Sequence, residues 1–184
     1  SSPVLRTHSA SVSPPSWPSG GPVAVDEDAY VHVQGLLAAA EDAGLPPTSL
    51  LLSALARRDR SLAARARRTA EWACLLAGGL GRVDLAQDAH DVALLADVGQ
   101  LALVSTQDNP WLEWQRRRAS HDLVQAMPAL AHLAPAVLSV RERFDGDGLP
   151  AGLRGDEIPL TARIARLVRD FDLASHGWWP GQPA

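Results

Sequence analysis

At 184 residues, with 46% hydrophobic residues, the chain can bury one core without disulfides, and its single cysteine, Cys74, can form none internally. A formal net charge of -4 argues against broad nucleic-acid binding, and no apolar run approaches the roughly 18 to 20 residues that span a bilayer. The chain opens without Met and without a charged-then-apolar leader, so the expectation is a cytoplasmic module, or the cytosolic part of a larger or membrane-bound protein.

Residues 1–25 are rich in Ser and Pro and lack periodic apolar positions, which predicts a disordered linker. Trp17 within it is an isolated aromatic. From Asp26 to about Ala43, the spacing of Tyr30, Val33, Leu36 and Leu37 predicts an amphipathic helix with acidic residues at its positive end. Gly44 to Thr48 stops it, and Thr48 or Ser49 is placed to cap a second helix through Leu50, Leu51, Leu52 and Leu55.

The stretch from Arg57 to Leu80 reads as a helix with a basic, solvated face, closed by Gly78, Gly79 and Gly81. Cys74 lies in its apolar run and is expected to be a buried structural thiol. Asp84 is placed to cap the next helix, Leu85 to about Val104. Val92, Leu94, Leu95, Val98, Leu101 and Leu103 make that helix apolar on most sides, as a central helix is. After Ser105 to Pro110, a further helix opens with Trp111, Trp114 and Arg116 to Arg118. Its stripe continues through Leu123, Met127, Leu130 and Leu133, interrupted at Pro128.

The segment from Arg141 to Ile164, RERFDGDGLPAGLRGDEIPLTARI, is a loop of tight turns, because glycine reaches positive φ freely and proline fixes φ. Pro159 suits a first helical position, and Leu160, Ile164, Leu167, Val168 and Phe171 predict a last helix, about Pro159 to Ala174. No strand-like alternation occurs.

The same segment resembles the signature of HD-GYP domains, roughly HHERxDGxGYPxGLxGxxIPxxARI, without a gap into the final helix. The resemblance implies an all-α fold: an HD-superfamily bundle of about six to seven helices with an ordered Gly/Pro loop before the last. The domain would cover residues 26–176, with 177–184 as a C-terminal tail. Active members of that family use a metal centre to hydrolyse cyclic di-GMP.

Such a centre needs several His and carboxylate ligands, since cations must be held while room is left for water and phosphate. Set against the family pattern, Ala93 to Gln100 resembles A-L-L-H-D-I-G-K, with Asp97 kept, Ala96 in place of the ligand His and Gln100 in place of Lys. Arg116 falls at the His-Pro histidine, Val140 and Arg141 at the paired histidines before Glu142, and Arg169 at the later metal-binding Asp. Asp172 matches a non-ligand Asp. Upstream, Ala56 and Arg65 occupy an acidic and a Gly-His position, and Leu149 replaces the Tyr of GYP. These replacements lead to the expectation of a degenerate domain that is not an enzyme and holds no metal or cofactor.

Two readings of the function remain. One is an inactive signalling module that works by protein-protein interaction. It would use the loop residues Glu142, Arg143, Asp145, Gly146, Gly148, Leu149, Pro150 and Arg154 against a GGDEF domain or an attached domain of the same protein, with homodimerisation through Tyr30 to Leu37 a further option. The alternative is a non-hydrolysing sensor of cyclic di-GMP or another anionic nucleotide in a pocket of Arg65, Asp97, Arg116, Arg141 and Arg169, since guanidinium groups bind phosphate bidentately. Against it stands an internal ionic network of these arginines with Asp97, Glu142 or Asp170. Trp178 and Trp179 offer either guanine stacking or a hydrophobic dock. A rearranged catalytic site would draw on His90, Asp91, Asp97 and His121, which otherwise read as surface histidines and their neighbours.

Overall fold

A computed structural model describes residues 27–102 and 110–176, so the linker 1–25, residues 103–109 and the tail with Trp178 and Trp179 lie outside the description. Among the described residues there are seven α-helices and no strand: α1 (Glu27–Asp42), α2 (Pro47–Arg58), α3 (Arg60–Gly79), α4 (Ala86–Leu95), α5 (Pro110–Gln125), α6 (Ala134–Leu138) and α7 (Leu160–Ser175). This is the all-α bundle that the sequence led us to expect.

The centre is the packing of α3 on α4, with α7 lying against both. Ala63, Ala66, Ala70, Ala73 and Ala77 recur every three or four residues on α3, and all are buried. A stripe of methyl groups lets a neighbouring helix come close, so α4 can place Ala89, Val92 and Ala93 in the same core. Around this seam Leu51, Leu55, Leu95, Leu112 and Leu123 are almost fully enclosed, each contributing roughly 1.5–3 kcal/mol of hydrophobic stabilisation.

Several local expectations change. The second helix starts at Pro47 with Pro46 before it and no side-chain cap, so Thr48 and Ser49 already lie inside it. The basic stretch is split at Asp59, whose carboxylate accepts the N–H groups of Ser61 (2.9 Å) and Leu62 (3.0 Å) and caps α3. Asp84 does not cap α4. It sits in a 3-10 turn, Val83–Leu85, and pairs with Arg82 at 2.8 Å. Pro159 precedes the last helix, which ends at Ser175. Cys74 is half-buried, not enclosed. Of the proposed dimer stripe, Val33 is buried in the domain's own core, and the side chains of Tyr30, Leu36 and Leu37 lie outside the description.

The largest correction concerns the long apolar helix expected from Leu85 to Val104. The α-helix ends at Leu95, and a 3-10 turn, Val98–Ala102, follows. The cause is α5, which crosses the chain at Gly99. A Cβ on Gly99 would stand 1.9 Å from the Arg116 carbonyl oxygen and 2.5 Å from the Ser120 nitrogen. The Ser120 hydroxyl accepts the Gly99 N–H at 2.8 Å and donates to the Ala96 carbonyl at 3.1 Å. Sequence periodicity cannot register a contact between residues this far apart in the chain.

The loop between Arg141 and Pro159 is organised from inside by Glu142. Its carboxylate, 2% exposed, accepts the N–H groups of Ala151 (2.6 Å) and Leu153 (3.1 Å). Gly148 is also enclosed, because a side chain there would collide with the Arg143 nitrogen at 2.0 Å. Neither Glu142 nor Gly148 can therefore present itself to a partner, which corrects their place in the expected interaction surface. Arg143, Asp145 and Arg154 are exposed.

Replacing Gly99 by Ala should destabilise the domain by about 1–3 kcal/mol, because backbone atoms block the methyl group and no rotamer change can relieve the clash. Gly35→Ala on exposed α1, where nothing lies within 4 Å, should be neutral or stabilising. Urea denaturation of the two variants measures the difference.

Candidate functional site

The ends of four helices and the start of the Gly/Pro loop surround a cavity of about 350 Å³. Helix α3 contributes Arg65 and Arg68, the turn after α4 contributes Asp97 and Gln100, and α5 contributes Glu113 and Arg116. Arg141 precedes the loop, and α7 supplies Arg169, Asp172 and His176. The structure thus brings Arg65, Asp97, Arg116, Arg141 and Arg169 to the lining of one cavity. It does not bring the loop residues Arg143, Asp145, Gly146, Leu149, Pro150 or Arg154 there.

Asp97 is the innermost acid. Its Oδ2 receives Nη1 of Arg169, a residue only 8% exposed, and lies 3.5 Å from Nη2 of Arg65. Burial alone would raise the Asp97 carboxyl. The charge and hydrogen bond of Arg169, with Arg65 and Arg141 behind it, outweigh burial and hold it below the ordinary carboxylate range. Arg169 is raised in turn, since Asp97 and the more distant Glu113 and Asp170 overcome its burial.

Glu113 collects three arginines: Arg116 at 3.1 Å, Arg117 at 3.1 Å and Arg141 at 3.3 Å. Its carboxyl is held low, because Arg141 and Arg117 outweigh its burial. The arginines are less well satisfied. Arg117 is lowered to about 10, first by burial and then by Arg141, and Arg141 is lowered by burial and by Arg169. At the mouth, Arg68 grips Asp172 through two hydrogen bonds, 3.0 and 3.2 Å, and His176 Nδ1 lies 3.4 Å from the same carboxylate. The Nε of Arg65 is buried with no hydrogen-bond partner among the described residues.

Sequence reasoning missed Glu113, Arg68 and Asp172 as parts of this site. Glu113 had a readable signal, since it stands three and four residues before Arg116 and Arg117 on one helix face. The ionic network expected as the rival to an anion pocket is present in altered form. Asp97 takes its predicted share, but Glu142 binds backbone amides, and Asp170 pairs with Arg166 on the same helix at 3.3 Å.

The metal centre implied by the resemblance does not fit these residues. No group of three or more His, Cys, Asp or Glu side chains close enough to hold an ion occurs among the described residues. The acid that remains, Asp97, is already bonded to a guanidinium, which would repel a cation at short range. The rearranged set of His90, Asp91, Asp97 and His121 does not assemble. His90 and His121 each turn to the adjacent aspartate at 2.8 Å.

With the fold and cavity described, comparison with known proteins assigns the family. The family model described as HD domain matches residues 50–183. The chain belongs to the HD domain family. Among curated relatives, the Cyclic di-GMP phosphodiesterase response regulator RpfG of Xanthomonas campestris is 29% identical over 136 residues, covering 67% of this chain and 36% of that protein. A protein of Vibrio cholerae named Probable cyclic di-GMP phosphodiesterase is 42% identical over 48 residues, 26% of this chain and 11% of the relative. The HD domain described here therefore spans about a third or less of the relatives it matches. Their names correct the expectation that the chain is not an enzyme, since both are named for a phosphodiesterase. Among the described residues, no helix is long and apolar enough to cross a membrane.

The buried pair yields a prediction. In Asp97→Asn the amide cannot offset Arg169 and Arg65, and urea denaturation should show a loss of about 3 kcal/mol. The pH dependence follows from the lowered Asp97 carboxyl. The unfolded state, with its higher ordinary value near ~3.9, takes up the proton first, so protonation favours unfolding. This contribution is complete above that value and is lost as pH falls through the lower folded-state one. The acid limb of the stability curve should be flatter in Asp97→Asn than in the parent chain.

Proposed function

We propose that this HD domain is a cyclic di-GMP signalling module whose arginine cavity binds the phosphodiester groups of the nucleotide. The observation that supports this is the gathering of arginines from separate elements around one cavity. Arg65, Arg68, Arg116, Arg141 and Arg169 line it together with Asp97, Glu113 and Asp172, and the buried Nε of Arg65 has no hydrogen-bond partner among the described residues. The arginines lie in a partly desolvated space, where Arg141 and Arg117 already have their charged forms disfavoured, first by burial and then by neighbours of like sign. An anion relieves that repulsion. Cyclic di-GMP carries one negative charge on each of its two phosphodiesters, and guanidinium groups meet phosphate oxygens in the paired geometry that a planar fork allows.

Volume agrees with this reading. A cavity of about 350 Å³ lies within the range of small-ligand sites, roughly 300–1,000 Å³. It can take a phosphate and its adjoining sugar while a base remains near the mouth beside His176.

A second reading assigns the Gly/Pro loop to docking a protein partner, a GGDEF domain or a domain of the same protein. It draws on Phe144, which is 65% exposed at the loop's start, with the guanidinium of Arg163 6.0 Å from its ring centre. The two readings separate cleanly, because Phe144 lies outside the cavity lining.

Calorimetric titration of cyclic di-GMP into the protein tests the first reading. Saturable binding is expected, weakened about tenfold or more, some 1.4 kcal/mol, by Arg65→Ala or Arg141→Ala and unchanged by Phe144→Ala. Product analysis of the same samples records any hydrolysis. Absence of binding heat from a folded, helical protein at tens of micromolar would remove the proposal.

A further inference from the structure

Helices α3 and α7 form a second concavity beyond the arginine cavity, of about 430 Å³, lined by Trp72, Leu75, Leu76, Leu167, Val168 and Phe171. Its character is the opposite of the first, for no charged side chain among the described residues lines it. Leu75 is 72% exposed, Leu167 60% and Phe171 58%. Single exposed hydrophobics are ordinary, but three large ones converging on one groove mark a surface that is covered in the working molecule. The groove is also preformed, since the rings of Trp72 and Phe171 meet edge to face with centroids 5.2 Å apart.

One stretch of this chain suits the groove in chemistry and in reach. Eight residues follow His176, Gly-Trp-Trp-Pro-Gly-Gln-Pro-Ala, with no charged side chain and two adjacent tryptophans. The HD domain match extends to residue 183, so this segment belongs to the domain and not to a neighbouring one. Phe171 stands five residues before His176, about 7.5 Å back along the helix axis. Two or three extended residues span about 7–10 Å, which brings Trp178 and Trp179 level with Phe171 if the chain reverses at Gly177. The remaining residues more than cover the roughly 13.5 Å to the level of Leu167.

We infer that Trp178 and Trp179 seat in the α3–α7 groove of their own chain and close its apolar face. Each indole can bury about 150–250 Å², and the groove offers apolar partners from both helices. Of the charged residues of α7, Arg169 and Asp172 line the arginine cavity, Arg163 pairs with Asp156, and Arg166 pairs with Asp170. This inference does not depend on what the arginine cavity binds.

Fluorine NMR of the full chain, labelled with 5-fluorotryptophan, tests the inference, with Trp178→Phe and Trp179→Phe assigning the two signals. Both signals should stand away from the solvent-exposed position, at a shift independent of protein concentration. Leu75→Asp and Leu167→Asp should each move both towards that position. Leu75 and Leu167 are exposed residues on different helices, so agreement between the two variants, with Trp114 unmoved, separates loss of docking from loss of fold. Three results would overturn the inference. Signals at the exposed position in the parent chain, indifferent to both variants, would mean that the groove is not the seat of this segment. Displacement that disappears on dilution would assign the groove to a second copy. Signals that ignore the groove variants but move on addition of cyclic di-GMP would place the tryptophans at the cavity.

Discussion

The pairing of Arg169 with Asp97 joins the middle of α7 to the end of α4, and the geometry around the cavity depends on it. Taking either ion out of water costs several kcal/mol, so neither can be left without the other. Arg65 brings α3 to the same carboxylate oxygen, and Glu113 brings α5 to Arg141. Arg166, one turn before Arg169, donates to the carbonyls of Arg141 (2.9 Å) and Glu142 (3.1 Å), which sets the start of the loop against α7. Four helices and a loop are thus spaced by ions around a hole, a place where apolar packing would have closed the gap.

Packing accounts for why the ions meet there. The alanine stripe of α3 turns inward against α4, and the longer residues of α3 then fall along its edge. Arg65, Arg68, Trp72 and Leu75 follow one another at three- and four-residue intervals, so a single edge runs from the charged cavity to the apolar groove. Helix α7 repeats the division, with Arg169 and Asp172 on one side and Leu167, Val168 and Phe171 on the other. Gly99 supplies the remaining condition. Without a side chain there, α5 can sit against the turn after α4, and Arg116 and Glu113 reach the cavity.

Much of this was legible in the chain and some was not, for physical reasons. The apolar spacing marked the helices, and the glycines and prolines between Arg141 and Pro159 marked the ordered loop. Both are local properties of the backbone and of side-chain periodicity. The gathering of Arg65, Arg116, Arg141 and Arg169 became readable only through the family pattern, because nothing local relates four arginines on four separate elements. The break after Leu95 was hidden, since Val98, Leu101 and Leu103 continue the apolar pattern and the interruption comes from α5. Glu142 was misread for a related reason. An acidic residue beside arginines suggests an ion pair, but here the amides of Ala151 and Leu153, nine and eleven residues later, take both oxygens.

The cavity keeps positive charge in the place where the family resemblance leads one to expect metal ions, and the two kinds of charge act differently on a phosphate. A metal ion is a concentrated charge that exchanges ligands, whereas a guanidinium is spread, directional and fixed to its helix. Arginines therefore hold an anion only if the helices hold the arginines, and here that task falls on Asp97 and Glu113. Both carboxylates are held low, so they stay ionised well into acid and keep the arginines in place. At the mouth, Asp172 lies next to Phe171 on α7, one lining the cavity and the other the groove. A shift of that last turn alters both surfaces together. If covering the apolar groove shifts that turn, it bears on the entrance to the cavity, and by linkage an anion in the cavity would then bear equally on the groove.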